Sequence, residues 1–125
     1  MEITTKDLIA IFLGGGLGSV ARFLTGRFAM RLINSSFPWG TLLANMLSCI
    51  ALVFFIWLIA KNDMKEWWIS FAVIGFCGGF STFSTFSYET VKLLHGGHFF
   101  MAGANVLVSL AVCLLILYHL SRIIV

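Results

Sequence analysis

Between positions 75 and 89 the chain reads GFCGGFSTFSTFSYE. Glycines are followed by the hydroxyls of Ser81, Thr82, Ser84, Thr85 and Ser87 and then by the carboxylate of Glu89, all in a run that is otherwise apolar. Two adjacent glycines make a poor helix interior, at roughly 1 kcal/mol each. An interruption at Gly78-Gly79 would free backbone carbonyls. Carbonyls freed in an apolar medium need partners, and a buried cation is one of them. Phe80, Phe83 and Phe86 then recur every third residue and project near one face. A phenyl ring has a positive edge and a negative face. Ring edges can therefore meet an anion without the grip of a full charge. The same spacing also suits phenylalanines that only pack or face lipid, and on spacing alone both readings stand.

Other polar side chains sit where apolar ones are expected. Thr41, Asn45 and Ser48 follow an i, i+4, i+7 spacing and share one helix face, as do Asn105 and Ser109. Arg22 lies inside an apolar stretch or at its edge. Polar groups in a membrane span are costly and usually face a partner or a water-filled path. Bonds between helices could absorb any one of them. A short chain has little interior for the whole set, and an oligomer with a polar pathway accommodates it better. Cys49, Cys77 and Cys113 are odd in number and lack the spacing of a zinc site or a disulfide framework; they read as small apolar residues. His95 and His98 have no third ligand in view. Glu2, Asp7, Asp63 and Glu66 read as solvated end charges. The run Gly14-Gly15-Gly16-Leu17-Gly18 lies in an apolar stretch, where glycine permits close helix packing rather than phosphate binding. No Ser/His/Asp or Cys/His arrangement suggests an enzyme.

The elements that hold these residues follow from composition. Of 125 residues, 60% are hydrophobic and 10% charged, and the mean hydropathy is +1.02. A chain this short has no soluble core able to absorb such an excess. A soluble domain, a disordered chain and a nucleic-acid-binding module are excluded. The net charge of +3 suits helix ends at anionic lipid headgroups. Four stretches reach the roughly 20 apolar residues that a spanning helix needs, at about 8–30, 38–60, 67–94 and 99–120. The expected fold is an all-α integral membrane protein, a single transmembrane domain over 1–125. The first stretch is followed by Arg22, Arg27, Arg31 and three further spans, so it reads as a span and not as a cleaved signal.

Four spans put both termini on one side, with Lys6, Lys61, Lys65 and Arg122; Arg27, Arg31 and Lys92 lie on the other. Four against three gives the positive-inside rule almost nothing to act on. Insertion both ways round with antiparallel pairing, and one orientation imposed by the first helix or by lipid, both stand. A proton-coupled exporter of lipophilic cations is the main rival class at this size. It wants a carboxylate inside the first span, where this chain has Arg22. A non-transporting assembly subunit is a third class.

Three regions together resemble the Fluc/CrcB fluoride channels. They are Gly78 to Phe86 (GGFSTFSTF) with Glu89, Gly15-Gly16 with Gly18 and Arg22, and Pro38-Trp39-Gly40-Thr41-Leu42 with Asn45. The third-span motif is the specific one. The resemblance implies a four-helix subunit, its third helix broken near Gly78-Gly79, in an antiparallel, dual-topology homodimer in the bacterial inner membrane. It implies two fluoride pores per dimer and passive fluoride export that lowers cytoplasmic toxicity. Matched by position, the pore residues are Asn45, Thr82, Phe83, Phe86, Glu89 and, from spacing in the fourth span, Ser109; Arg22 falls near a vestibule. A structural sodium ion at the dimer centre would take backbone oxygens of Gly78 and Ser81. The implied partners are fluoride, a second copy of the chain and the lipid bilayer, with no nucleic acid. Ser81 departs from the threonine common at its place, and Ser48 from a frequent glycine.

Overall fold

In the computed structural model, which describes residues 2–124, the chain is all-helical. The order is α1 (Thr5–Leu32), α2 (Trp39–Asn62), α3 (Glu66–Ile69), a π-helical stretch (Ser70–Cys77), α4 (Gly78–Phe80), α5 (Phe83–His95) and α6 (Phe99–Ile124). Four helical segments are long and apolar enough to cross a membrane: α1, α2, the composite Glu66–His95, and α6. The chain is a multi-pass membrane protein. Its turns are tight, and Gly97 adopts a φ of 76° between α5 and α6 that a side chain would resist.

The interior is built from small residues. Ala10, Ala29, Ala44, Ala72 and Ala102 are buried, whereas Phe12, Phe100 and Leu107 are exposed. Lipid is as apolar as leucine, so close backbone approach and hydrogen bonds hold such helices together. The tightest approach is between α1 and the third span. A Cβ added at Gly14 would collide with the Phe71 carbonyl oxygen, and one at Gly18 with that of Phe76. A Cβ at Gly79 would collide with the Gly15 carbonyl oxygen, and one at Gly75 would sit 2.9 Å from that of Ile11. Two glycine pairs, each four residues apart, thus lay one backbone on the other. The expected packing role of the α1 glycines is realised at Gly14 and Gly18, while a Cβ at Gly16 meets nothing.

Two expectations are corrected. Gly78 is helical (φ −63°, ψ −37°), and the extended residues are Ser81 (ψ 158°) and Thr82 (ψ 121°). The shift of three residues has a physical reason. Packing against α1 holds Gly79 in a helix despite its intrinsic penalty. The Thr82 hydroxyl meanwhile accepts the Thr85 N–H at 3.1 Å and starts a new helix. Asp7, expected to be solvated, is buried. It closes a capping box with Thr4, whose N–H donates to Oδ2 at 3.1 Å. The Ser70 hydroxyl donates to Oδ1 at 3.0 Å, tying the start of α1 to the third span.

Gly14→Val and Gly18→Val are therefore expected to destabilise the subunit by about 1–3 kcal/mol or more through overpacking, while Gly16→Ala leaves it unchanged. Thermal unfolding in detergent checks this, and equal midpoints for all three would refute the glycine contact.

Candidate functional site

The site begins with Thr82. Its N–H donates to Asn45 Oδ1 at 2.8 Å, and its carbonyl accepts from Asn45 Nδ2 at 3.3 Å. One amide side chain from α2 therefore occupies both polar groups of an extended residue in the third span. In an unbroken helix the Thr82 N–H would donate to the Gly78 carbonyl, and that of Thr85 to the Ser81 carbonyl. The first goes to Asn45 and the second to the Thr82 hydroxyl. The carbonyls of Gly78 and Ser81 lose their helical donors as a result. That of Cys77 is engaged instead: it accepts from the Ser81 N–H at 3.0 Å, the Ser81 hydroxyl at 2.9 Å and the Ser48 hydroxyl at 3.0 Å.

Thr82 lines two cavities. The larger, of about 870 Å³, opens among α1, the α1–α2 loop and α5. Arg22, Arg27, Lys92, Thr41 and Glu89 line it together with Thr82. The Thr41 hydroxyl donates to Glu89 Oε1 at 2.9 Å, and Oε2 is buried without a protein partner. The smaller, of about 280 Å³, is a groove lined by Asn45, Ser81, Thr82, Phe83, Phe86, Ser109, Cys49 and Cys113, with leucines from α6. The rings of Phe83 and Phe86 are 5.7 Å apart and tilted by 41°. Phe83 is 78% exposed in the single subunit.

A second polar chain holds the groove's back wall. Asn105 is 1% exposed. Its Nδ2 donates to the Thr90 hydroxyl at 2.9 Å, and that hydroxyl donates to the Phe86 carbonyl at 2.8 Å. The Ser109 hydroxyl donates to Asn105 Oδ1 at 3.3 Å. This chain joins α6 to the turn of α5 that carries Phe86.

The structure thus gathers Asn45, Ser81, Thr82, Phe83, Phe86 and Ser109 around one groove. Glu89 stands apart from the phenylalanines, in the larger cavity with Arg22. Gly78 lines neither cavity and is exposed on the subunit surface. Phe80 does not continue the row of Phe83 and Phe86. It is buried against Phe76 at 5.6 Å, because the extended pair resets the helical phase after it. Sequence reasoning missed Arg27, Lys92 and Thr90 as site residues. Lys92 lies one turn beyond Glu89, and that i+3 spacing was the available signal. Thr90 had none, since its role depends on which helix packs beside α5. Among the described residues, no group of three or more His, Cys, Asp or Glu could hold a metal ion.

Comparison with known proteins decides the family. The model described as "CrcB-like protein, Camphor Resistance (CrcB)" matches residues 9–119. The chain belongs to the CrcB family. Its relatives include proteins named fluoride-specific ion channel FluC. One from Geobacter sulfurreducens is 45% identical over 117 residues, covering 90% of both chains. One from Coxiella burnetii is 39% identical over 110 residues, covering 86% of this chain and 89% of the relative. One from Escherichia fergusonii is 43% identical over 106 residues, covering 82% and 81%. The CrcB match takes in every residue of both cavities.

Asn45→Ala would strip both backbone groups of Thr82 of their partner. A loss of about 1–3 kcal/mol is expected, the range for orphaned buried polar groups. It should appear as a lower unfolding midpoint in detergent, with Ser36→Ala, at an exposed loop residue, as the mild comparison. An unchanged midpoint for Asn45→Ala would mean that Thr82 does not depend on it.

Proposed function

We propose that this chain is a fluoride-specific ion channel whose anion path runs from the basic vestibule, past Thr82, into the phenylalanine groove. The observation that carries this reading is that Thr82 lines both cavities, with Asn45 holding it from the groove side. The printed names of the relatives point the same way.

The chemistry is that of weak sites in series. Arg22, Arg27 and Lys92 raise the local concentration of an anion at the mouth. Fluoride is small and strongly hydrated, so a narrow path has to replace its water. The second N–H of Asn45 and the Thr82 hydroxyl can donate to it, and the Ser109 hydroxyl can do so by turning away from Asn105. The edges of Phe83 and Phe86 supply weaker positive potential. Several weak sites allow both entry and exit, which conduction requires. A cage of cations would hold the anion too tightly.

The subunit acts as half of an antiparallel, dual-topology homodimer with two pores, in the bacterial inner membrane, and lets fluoride leave the cytoplasm passively. The near-even split of Lys and Arg between the two sides supports dual topology. The exposed Phe83 and Gly78 support a partner on that face. A structural sodium ion at the dimer centre would be held by the backbone oxygens of Gly78 and Ser81. Both carbonyls lack their helical donors, and hard carbonyl oxygens suit such a cation. Sodium would supply fixed positive charge between the subunits.

The test is efflux from liposomes holding the purified protein, read with a fluoride electrode and with chloride efflux alongside. Fast fluoride loss with little chloride loss is expected, and none from folded dimers overturns the reading. Phe83→Ile and Phe86→Ile should retain assembly and slow fluoride efflux roughly tenfold, a loss within the worth of one aromatic contact; unchanged flux in both would remove the ring edges from the mechanism. Replacing sodium with a bulky organic cation should lower both flux and the unfolding midpoint, and identical behaviour would remove the central ion.

A further inference from the structure

The smaller cavity holds two side chains that anion conduction does not use. Cys49 lies one turn beyond Asn45 on α2, and Cys113 one turn beyond Ser109 on α6. Four residues at 1.5 Å each place the thiols about 6 Å further along the two faces that line the groove. Both cysteines line that cavity. Both are half-buried and free of disulfides. Cys77 is buried and lines neither cavity. The neighbouring walls are Leu110 and Leu114. Such a place offers nothing to a hard cation, which would lose its water there. Two thiols lining one small cavity are a donor set for a soft cation.

We propose that Cys49 and Cys113 together bind one soft, two-coordinate cation of the copper(I) or silver(I) type in the wall of the groove, and that the bound cation shuts the anion path. The second half rests on the channel reading given above; the first does not. Binding breaks two S–H bonds and forms two metal–sulfur bonds. Two protons leave to water, and nothing is oxidised or reduced. Two thiolates and a monovalent cation leave one net negative charge in a mostly apolar cavity of about 280 Å³. An anion approaching Ser109 and Phe86 then meets like charge at short range in a low dielectric, where repulsion is strong.

The experiment uses the purified full chain in chloride-free liposomes loaded with potassium fluoride, with silver nitrate added at one equivalent per subunit. Fluoride efflux is expected to slow roughly tenfold or more through like-charge repulsion and to recover with dithiothreitol. One silver should be retained per subunit after gel filtration, with Cys49 and Cys113 protected from N-ethylmaleimide. Cys77→Ala should keep both silver retention and block. Cys49→Ala and Cys113→Ala should each lose both, judged against their own metal-free flux. Thiol protection reads binding without any flux. A protein that conducts no fluoride yet protects both thiols upholds the cation site and overturns the channel reading. Retention that survives either single cysteine variant overturns the site, and retention without slower efflux overturns the block. Thiols lost without retained silver identify a disulfide and likewise overturn the cation site.

Discussion

The pair of hydrogen bonds between Asn45 and Thr82 is the constraint on which the rest of this subunit depends. An extended residue in the middle of a membrane span carries a backbone N–H and a carbonyl that lipid cannot satisfy. One amide side chain answers both. Because it does, the chain can leave helical geometry at Ser81 and Thr82 and start again at Phe83 in a new phase. Phe80 is then directed into the interior, and Phe83 and Phe86 into the groove. The same substitution of partners releases the carbonyls of Gly78 and Ser81 from their helical bonds. In the proposed channel, the path for the anion and the site for the central cation are two consequences of one local rearrangement.

That rearrangement needs a rigid support on its other side. Glycines in α1 and in the third span let the two backbones lie in direct contact over two turns. Bulkier residues would separate them and leave the π-helical stretch Ser70–Cys77 without a neighbour to define it. The Asp7 carboxylate fixes the outer end of this contact through Ser70. Asn105 and Thr90 do the same for α5 and α6. Hydrogen bonds placed at the ends of close-packed helices hold positions that apolar packing alone would let slide, since lipid provides no hydrophobic drive between helices.

Charge is divided between the two cavities. Arginine and lysine line the larger one, and uncharged donors and ring edges the smaller. In the proposed channel, such a division would attract an anion to the mouth without trapping it inside. Glu89 lines the larger cavity, where the Thr41 hydroxyl holds one of its oxygens. Its presence among three basic residues tempers a field that would otherwise bind anions strongly.

The sequence by itself determined the membrane class and the four spans, because apolar length is a local property of the chain; Asn45, Thr82, Phe83, Phe86 and Ser109, which line the groove, were singled out by the family resemblance. The motif from Gly78 to Phe86 marked the unusual segment. It could not say which residues in it would be extended. Intrinsic propensity pointed to Gly78-Gly79, but Gly79 is held in a helix by contact with Gly15, a residue more than sixty positions away. Asp7 read as a surface charge because its partner Ser70 is equally remote in sequence. Only the tertiary structure decided that Thr82 borders both cavities, that Glu89 lines the larger one and that two cysteines from different helices line the smaller. Each of these depends on which faces of separate helices meet, and spacing within one helix carries no record of that.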